Sequence, residues 1–570
     1  MCASLFKTLC DPHLTRESNV GPECDDQGCR GHRPHPREGR RSAGSGAPAA
    51  TAFAVSGGKF VAVGSDEDIR ALAGPTAEVI DLGGRTVVPG FIETHVHPHM
   101  SGMNSVNVDA GSDACPDIGS LIDALAARAA ETPAGQPVSA SGFDDSLVAE
   151  DRGLTAADLD RASVDHPIVV RHLSGHGLYV NSFVLRSKGI DRDTAEPEGG
   201  VVVRNPAGEP TGEFREIPAM RLVVSPEDSM PTGEELDEGL RRALARMASV
   251  GVTTFHDMFV TPVVIDSYRR LLDRGELPLR ARLYAGFGTL EGFTVGDDSD
   301  ADAHDHLEIG GVKLISDGSI QLHTGALTEP YHDLGGCHCG EMAIPPTDLD
   351  EMVRRCHEAG RQVAIHTNGD RAIDLALDAI EKALAAAGGT PLPGGLQHRL
   401  EHVQALRDDQ IRRMRDLGVS ASVFVNHVYY WGDRHRDRFL GPERGSRISP
   451  LASISSAQVP FALHCDSPVT PVNPLFTMHT AVNRVTRGGE VLGPEERIDA
   501  ATALAGYTTS AACLGGESEV KGAIAPGRFA DFVVLDGDPT GVEPSAIKDI
   551  TVLATVVAGR VVYTTDPAFS

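Results

Sequence analysis

The feature that most constrains the fold is an apolar run, Val87–Pro98, that contains two histidines near its end. These are His95 and His97, separated by one residue. If the run is a β-strand, side chains at i and i+2 lie on one face, so both imidazoles point the same way, about 6–7 Å apart. Two imidazoles at that spacing can bind one metal ion. A single His-x-His pair is weak evidence, so the rest of the chain must supply further ligands.

Composition excludes several classes of protein. The chain has 570 residues, 41% of them apolar, which is enough for a large barrel or for two or more domains. A formal net charge of -29 opposes binding to nucleic acid or to an anionic membrane. No apolar run is long enough to span a membrane, and no secretory signal is evident. Ten cysteines without a regular framework fit reduced thiols, so we expect a cytoplasmic enzyme.

Residues 1–48 differ from the rest because they lack apolar periodicity. We expect a disordered extension, or a start codon assigned too far upstream. A small zinc site is an alternative, but the spacing of its candidate ligands does not fit a common zinc module. Those ligands are Cys24, Cys29, His32 and His35.

Short strands precede the two histidines. Two pairs of apolar runs, around Ser56–Gly58 and around Gly83-Gly84, predict two β-hairpins. Further short runs within residues 530–563 are typical of strands with glycine turns. We predict that both chain ends together build a small β-sandwich domain from residues 49–88 and 522–570.

The central part of the chain alternates between strand and helix patterns, as in parallel βα folds. Seven apolar runs follow the His95 strand, which gives eight candidate strands. The seven lie at 252–257, 279–287, 311–317, 362–366, 399–403, 419–425 and 460–466. Eight βα units predict a (β/α)8 TIM-like barrel over residues 89–521. Residues 115–245 fit an α/β insertion after the first barrel strand.

Five of the predicted barrel strands end in residues that can bind a metal ion. The candidates are His95, His97, Lys313, His366, His402 and Asp466. Because the C-terminal ends of barrel strands converge on one rim, we expect these side chains to lie together there. Neutral imidazoles suit Zn²⁺ and similar divalent ions. The sequence therefore predicts a centre with one or two divalent metals.

The same residues resemble a known family. The order His-x-His, Lys, His, His, Asp on successive strands is similar to the amidohydrolase superfamily. Flanking motifs resemble its YtcJ-like branch, which includes N-substituted formamide deformylases. The motifs comprise 58–64, 89–97, 251–254, 312–319, 365–370, 401–402, 465–469 and 522–535. The resemblance extends over roughly residues 52–565.

The resemblance implies a metal-dependent hydrolase that cleaves a non-peptide C–N bond in an amide or N-formyl group. It also implies that Lys313 reacts with CO2 to give a carbamate that bridges two metals. The alternative is a plain ammonium paired with an acid, in a site with one metal. Asp466 suits a general base that takes a proton from the attacking water and delivers it to the leaving nitrogen. A helix N-cap before Pro468 is the alternative role for Asp466.

Other polar residues near predicted strand ends are candidates for substrate binding. They are His172, His176, Asp317, Ser319, Gln321 and Trp431. His172 and His176 resemble a family segment near the substrate pocket. An ordinary loop aromatic cluster explains Trp431 and its tyrosine neighbours equally well. Cys337-His338-Cys339 could bind a metal, but an exposed loop is the expected structure.

Two departures from the family pattern are evident. The family carries an extra first strand, which residues 1–48 do not show, so we expect an incomplete β-domain. Glu93 stands where aspartate is usual, a change that we expect to be tolerated.

The alternatives to an amidohydrolase are an esterase or a deaminase of the same superfamily, or an inactive scaffold on the same fold. Superfamily deaminases usually lack the strand lysine, so Lys313 argues against one. Scaffolds typically lose ligands, and here all six positions are filled. The expected partner is a small amide-type molecule. The exact substrate, the metal identity and the oligomeric state, including a homodimer, stay open.

Overall fold

The computed structural model describes residues 50–104, 107–224, 233–288 and 306–569, together with one strand near the N-terminus. Within these residues the chain forms 22 strands in four sheets. The strands are β1 Leu5–Thr8, β2 Ala52–Ser56, β3 Lys59–Gly64, β4 Glu78–Asp81, β5 Thr86–Pro89, β6 Phe91–Val96, β7 Val108–Asp109, β8 Val138–Phe143, β9 Ile168–His172, β10 Gly177–Val180, β11 Val201–Arg204, β12 Pro210–Arg215, β13 Val252–Val260, β14 Arg280–Gly286, β15 Leu307–Ile315, β16 Gln362–Thr367, β17 Arg399–His402, β18 Ser420–Val423, β19 Phe461–Leu463, β20 Phe532–Leu535, β21 Val552–Val557 and β22 Arg560–Thr564.

The α-helices in the described ranges lie mainly between the strands of the largest sheet. They are Asp66–Leu72, Pro98–Asn104, Ile118–Glu131, Ala156–Asp160, Ser182–Lys188, Glu216–Met220, Glu234–Ser249, Pro262–Asp273, Pro346–Glu358, Asp370–Ala386, Asp408–Leu417, His427–Arg434, Gly441–Ser446, Leu451–Ser456, Pro474–Asn483, Ala500–Gly506 and Thr509–Leu514. None of these helices is both long and apolar enough to cross a membrane.

Eight parallel strands, β6 and β13–β19 in chain order, form the largest sheet. Backbone hydrogen bonds connect its first and last strands at their C-terminal ends. The amide of Asp466 donates to the carbonyl oxygen of His95 at 3.2 Å, and that of His97 donates to Ser467 at 2.8 Å. The predicted (β/α)8 barrel is confirmed, with all eight strands at the expected positions.

The barrel strands are recognisable because both of their faces are covered. Strand β16 is buried at all six positions, as parallel strands flanked by helices are. The helices on either side, Pro346–Glu358 and Asp370–Ala386, pack against each other and against β16. Their buried apolar residues recur at three- and four-residue intervals, which places one apolar stripe toward the sheet.

The insertion after the first barrel strand forms its own six-stranded sheet, in the order β11-β12-β10-β9-β8-β7. Its first strand begins at Val108, slightly before the predicted boundary. Helix Ile118–Glu131 starts with a capping box formed by Asp117 and Ser120, and its apolar face packs on this sheet. The turn between β9 and β10 approaches the barrel rim.

Both chain ends contribute to two smaller sheets, in the orders β3-β2-β1-β4 and β22-β21-β20-β5. The rings of Phe53 and Phe60 from one sheet pack on Phe532 of the other, with centroids 5.1 and 6.1 Å apart. These contacts form the apolar core of the β-sandwich that the sequence predicts. The division of the chain into domains stays a prediction.

Two predictions about the terminal strands are wrong. The sequence analysis finds no strand within residues 1–48, yet Leu5–Thr8 lies parallel to β2 and antiparallel to β4. A four-residue strand whose partners are distant in sequence leaves no periodic pattern. The second hairpin does not form, because β4 pairs with β1 whereas β5 pairs with β20. Gly83 and Gly84 have positive φ, so the chain turns there from one sheet to the other.

The rest of residues 1–48, including the expected disorder and the alternative zinc site, lies outside the described residues.

A buried ion pair connects the barrel to the C-terminal strands. Arg280 on β14 donates to Asp531 at 2.7 and 3.1 Å, and the two side chains are 2% and 7% exposed. Asp531 also accepts a hydrogen bond from the amide of Ala558 at 2.8 Å. Loss of this carboxylate would take two charge-assisted hydrogen bonds away from a buried guanidinium.

We expect Asp531→Ala to destabilise the fold by roughly 3–5 kcal/mol, because the partner charge stays buried. Glu209→Ala is the control, since it breaks an exposed pair with Arg192 that contributes at most about 1 kcal/mol. Thermal unfolding followed by circular dichroism should show a clearly lower midpoint for Asp531→Ala alone. Equal midpoints for the two variants would show that the buried pair does not hold the two parts together.

Candidate metal centre

All six predicted metal ligands lie together at the C-terminal rim of the barrel. They are His95, His97, Lys313, His366, His402 and Asp466, and all except the partly buried His97 are buried. Oδ1 of Asp466 lies 3.2 Å from Nε2 of His97 and 3.5 Å from Nε2 of His95. Its Oδ2 lies 3.8 Å from Nδ1 of His402. The Asp466 carboxylate is therefore at the middle of the group.

Lys313 and His366 complete the group from the neighbouring strands β15 and β16. Nζ of Lys313 lies 3.2 Å from Nε2 of His95, and the ring of His366 lies 4.5 Å from the ring of His402. His402 and Asp466 have φ values of 68° and 55°. Such left-handed backbone at non-glycine residues costs about 1–3 kcal/mol and is typical of functional positions.

The electrostatics of the group keep the imidazoles of His95, His366 and His402 neutral. Burial, followed by the charges of neighbouring side chains, lowers the pKa of His95, His366 and His402 well below the ordinary value. Burial also lowers the pKa of Lys313 to about 8. Although burial raises the pKa of Asp466, its close contact with His97 and the charges of neighbouring side chains outweigh this effect and bring the pKa to about 2. A neutral imidazole and an ionised carboxylate are the forms that bind metal ions.

A buried carboxylate that the sequence analysis assigned no role holds His95 in place. Oε2 of Glu401 lies 2.5 Å from Nδ1 of His95, and Nε of Arg399 donates to Oε1 at 2.6 Å. Because a carboxylate can only accept here, this hydrogen bond keeps the proton of His95 on Nδ1. The lone pair of Nε2 then faces Lys313 and Asp466. Carboxylates that orient a histidine in this way are usual behind metal ligands. Glu401 directly precedes His402 in the sequence, and this position next to a predicted ligand could have indicated its role.

Glu93 supports the opposite side of the group. Its Oε1 accepts a hydrogen bond from the amide of Cys465, and its Oε2 accepts one from the hydroxyl of Tyr507, both at 3.2 Å. Burial raises the pKa of Glu93 to about 8. The glutamate side chain thus reaches the backbone directly before Asp466. Whether it replaces the usual aspartate without loss stays a prediction.

His464 is a further buried histidine beside the group, which the sequence analysis did not identify. Its ring stacks on His95 at 4.7 Å and on Phe424 at 5.0 Å, and it lies 5.2 Å from His402. One nitrogen from each of the three histidines lies within 4.8 Å of the others. His464 precedes Asp466 by two residues, the same spacing as His95 and His97, and that pattern could have revealed it.

Several buried polar atoms in the group have no hydrogen-bond partner among the described residues. They are Nδ1 of His402, Oδ1 of Asp466 and both ring nitrogens of His464. Buried polar atoms are normally paired, because an unpaired one costs about 1–3 kcal/mol. A divalent cation would satisfy lone pairs of these imidazoles and of the carboxylate together. The donor set of nitrogens and carboxylate oxygens therefore fits the predicted divalent metal.

A cavity of about 780 Å³ opens over the ligands, between the barrel rim and the insertion. This volume suits a small organic molecule. Apolar side chains such as Phe259, Phe424 and Pro468 form part of its wall, and Ser141 and Arg171 come from the insertion.

Two histidines among the predicted substrate-binding residues, His172 and His176, line this cavity. His172 lies 3.3 Å from Asp145, and His176, whose ring is 5.0 Å from that of His366, contacts Glu216 at 2.9 Å. The less specific candidates Ser319 and Gln321 also line it.

Asp317 and Trp431 are buried outside the described lining of the cavity. The carboxylate of Asp317 accepts hydrogen bonds from the amides of Ala326, Asn368 and Gly369, and so shapes the loop after β15. Nε1 of Trp431 donates to Asp144 at 2.8 Å. Cys337 and His338 are exposed, as expected for their loop.

Comparisons with known proteins agree with this architecture. A model described as "Amidohydrolase family" matches residues 78–563. An N-substituted formamide deformylase of Arthrobacter pascens is 28% identical over 522 residues, which cover 90% of this chain and 95% of that protein. The putative amidohydrolase YtcJ of Bacillus subtilis (strain 168) is 28% identical over 523 residues, or 89% and 95% of the two chains. A crystal structure of an uncharacterized metal-dependent hydrolase from Pyrococcus horikoshii OT3 matches with a TM-score of 0.66 and 25% identity, and the match covers 86% and 94% of the two chains.

We expect Glu401→Gln to weaken divalent metal binding by about 10- to 100-fold, because His95 loses the anion that orients it. Competition with a chromogenic chelator measures the affinity. Glu496→Gln is the matched control, since Glu496 is a buried glutamate hydrogen-bonded to Ser453 away from the ligands. Similar affinities in both variants and the unaltered protein would show that Glu401 does not support a metal ligand.

Proposed function

We propose, from the premise that this chain belongs to the amidohydrolase family, that it hydrolyses an amide or N-formyl C–N bond of a small molecule at the rim described above. Family membership sets the reaction class, hydrolysis of carbon–nitrogen bonds other than peptide bonds, and the use of a divalent metal. The observation that carries the proposal is a set of buried, unpaired nitrogen and oxygen atoms. They belong to His402 and Asp466, which line a cavity sized for a small substrate, and to the neighbouring His464.

The residues proposed to hold the metal are those that lie around the Asp466 carboxylate. They are His95, His97, His366, His402 and Asp466, with Lys313 as its carbamate. Imidazole and carboxylate donors favour Zn²⁺. A bound divalent ion lowers the pKa of water to about 7 and polarises a substrate carbonyl.

Asp466 is proposed to carry a proton from the attacking water to the leaving nitrogen. Its Oδ1 lacks a hydrogen-bond donor from the described residues and lies beside the cavity, where it can accept a proton from the attacking water. The low pKa keeps the carboxylate ionised before that step. The proton then passes to the leaving nitrogen, which departs as a neutral amine. The hydrogen bond from Cys465 to Glu93 fixes the backbone on which this carboxylate turns.

Lys313 is proposed to be carboxylated. In this step Nζ attacks CO2, an N–C bond forms and the nitrogen loses a proton. No carboxylate of the described residues lies within ion-pair distance of Nζ, and Nε2 of His95 faces it at 3.2 Å. An ammonium in this place would repel a bound cation, whereas the two carbamate oxygens would bind it. The alternative, an ammonium paired with an acid, has no ion pair among the described residues, although the charges of Glu401 and Asp466 lie near enough to oppose the lowering of the Lys313 pKa by burial.

We expect Asp466→Asn to lower kcat/KM for an N-formyl amine by about 10²- to 10⁴-fold while metal stays bound. The assay uses metal-replete protein and a panel of N-formyl amines, amides and esters, with metal content measured by plasma emission. Asp266→Asn, on the exposed face of helix Pro262–Asp273, is the control and should match the unaltered protein. Near-normal turnover by Asp466→Asn would refute the proton-transfer role.

We expect native mass spectrometry to show one added CO2 and two divalent ions on each active chain. Lys313→Met should lose the CO2 and at least one ion, because the two carbamate oxygens that would hold metal are gone. A fully active chain that carries one metal and no CO2 would contradict a centre with two metals. Lys313 would then be an ammonium beside a single metal.

A further inference from the structure

We propose that Arg171 forms a binding site for an oxyanion on the substrate, so that the molecule hydrolysed is an N-acyl or N-formyl compound with a carboxylate or phosphate-type group at its other end. This inference rests on the proposed function, because it names the substrate class of the same cavity.

Arg171 is held firmly in the wall of that cavity. It lies on β9, where its backbone pairs with Ser141 of β8 on one side and with Leu178 of β10 on the other. The loop after β9 carries His176, whose ring lies 5.0 Å from His366. Arg171 and the candidate metal ligands therefore line one continuous space. An arginine placed by a sheet, rather than by a mobile loop, can position a bound group.

The guanidinium of Arg171 has no partner among the residues that the structure describes. Within the described residues it donates no side-chain hydrogen bond, and no carboxylate lies within 4.0 Å of it. Burial lowers the pKa of Arg171, and no neighbouring acid offsets this. A guanidinium carries five N–H donors in a fixed plane that matches an oxyanion. A partly buried one without a counter-charge is costly unless a ligand supplies that charge.

Other arginines in this region do have partners. Arg215 on β12 donates to Glu213 at 2.6 Å, and Arg487, which also lines the cavity, pairs with Asp113. Arg171 thus differs from its neighbours in charge pairing, although all three belong to the same part of the molecule.

The acids that line the cavity are already engaged. Asp109 accepts the amide of Gly111 at 2.9 Å, Asp113 pairs with Arg487, and Asp466 lies among the candidate metal ligands. The chain has a net charge of -29, so an arginine in its cavity without an acidic partner among the described residues is unusual. The field of such a site favours entry of an anion.

A second donor comes from the neighbouring strand β8. Ser141 is directly opposite Arg171 in the β8–β9 register, so both side chains lie on the same face of the sheet. Oγ of Ser141 accepts a hydrogen bond from Nδ2 of Asn107 at 2.8 Å, which leaves its O–H to donate. Both residues line the cavity. Arg171 and Ser141 together offer N–H and O–H groups to the oxygens of one anion.

The test compares matched substrates on metal-replete protein. N-formyl-β-alanine carries the carboxylate, N-formyl-β-alaninamide replaces it with a neutral amide, and N-formylaminoethylphosphonate tests the phosphate-type alternative. We expect kcat/KM for the better anion to exceed that for the neutral amide by about 10- to 100-fold, because a charge-assisted hydrogen bond stabilises the bound anion by this factor. The two anions show which oxyanion is preferred.

Arg171→Gln should abolish this preference, because the ionic contact with the substrate anion is lost. Ser141→Ala should reduce the same preference by a smaller factor, and it serves if Arg171→Gln fails to fold. Arg192→Gln, on the exposed face of the insertion, is the matched control and should leave all three rates unchanged.

The outcome separates this inference from the proposed function. Equal turnover of anionic and neutral formamides, unaffected by Arg171→Gln, overturns the anion site and leaves amide hydrolysis standing. If no formamide is hydrolysed, calorimetric binding of N-formyl-β-alanine to the metal-replete protein decides. Binding that Arg171→Gln weakens at least 10-fold supports the anion site, and absent or unchanged binding overturns it.

Discussion

The hydrogen bonds that close the barrel between its first and last strands set the geometry of the whole site. The amide of Asp466 donates to the carbonyl oxygen of His95, and the amide of His97 donates to Ser467. These bonds bring Asp466 next to His95 and His97, which lie far from it in the sequence. The Asp466 carboxylate is 3.2–3.5 Å from the ring nitrogens of the two histidines. The strands between them then present their own C-terminal residues to the same point. Strand pairing, and not the ligands themselves, therefore determines where a metal ion can bind.

The site combines features that are costly without a bound ion. Neutral imidazoles stack closely, several polar atoms are buried without partners, and His402 and Asp466 adopt left-handed backbone. The layer beneath, in which Glu401 joins His95 to Arg399, is by contrast fully paired. A rigid, satisfied support under an unsatisfied surface is typical of sites organised in advance of their ligand. Metal binding would return stability to this region of the fold.

The sequence predicts much of this arrangement, for physical reasons. Parallel strands covered on both sides appear as nearly continuous apolar runs, so the barrel strands and their terminal ligands are visible. Contacts that depend on distant partners are not. Leu5–Thr8 becomes a strand only through β2 and β4, and Gly83-Gly84 joins two sheets instead of one hairpin. Nothing local shows that Arg171 lacks a counter-charge among the described residues, since this depends on what the fold places nearby.

Anomalous diffraction from zinc-loaded crystals would show whether the rim residues hold a divalent metal. We expect a peak within about 2.0–2.2 Å of the ring nitrogens of His95 and His97 and of a carboxylate oxygen of Asp466. We also expect a second peak between His366 and His402, next to Lys313. Crystals of active protein with no anomalous peak at this rim, or with zinc bound only elsewhere on the chain, would contradict this expectation.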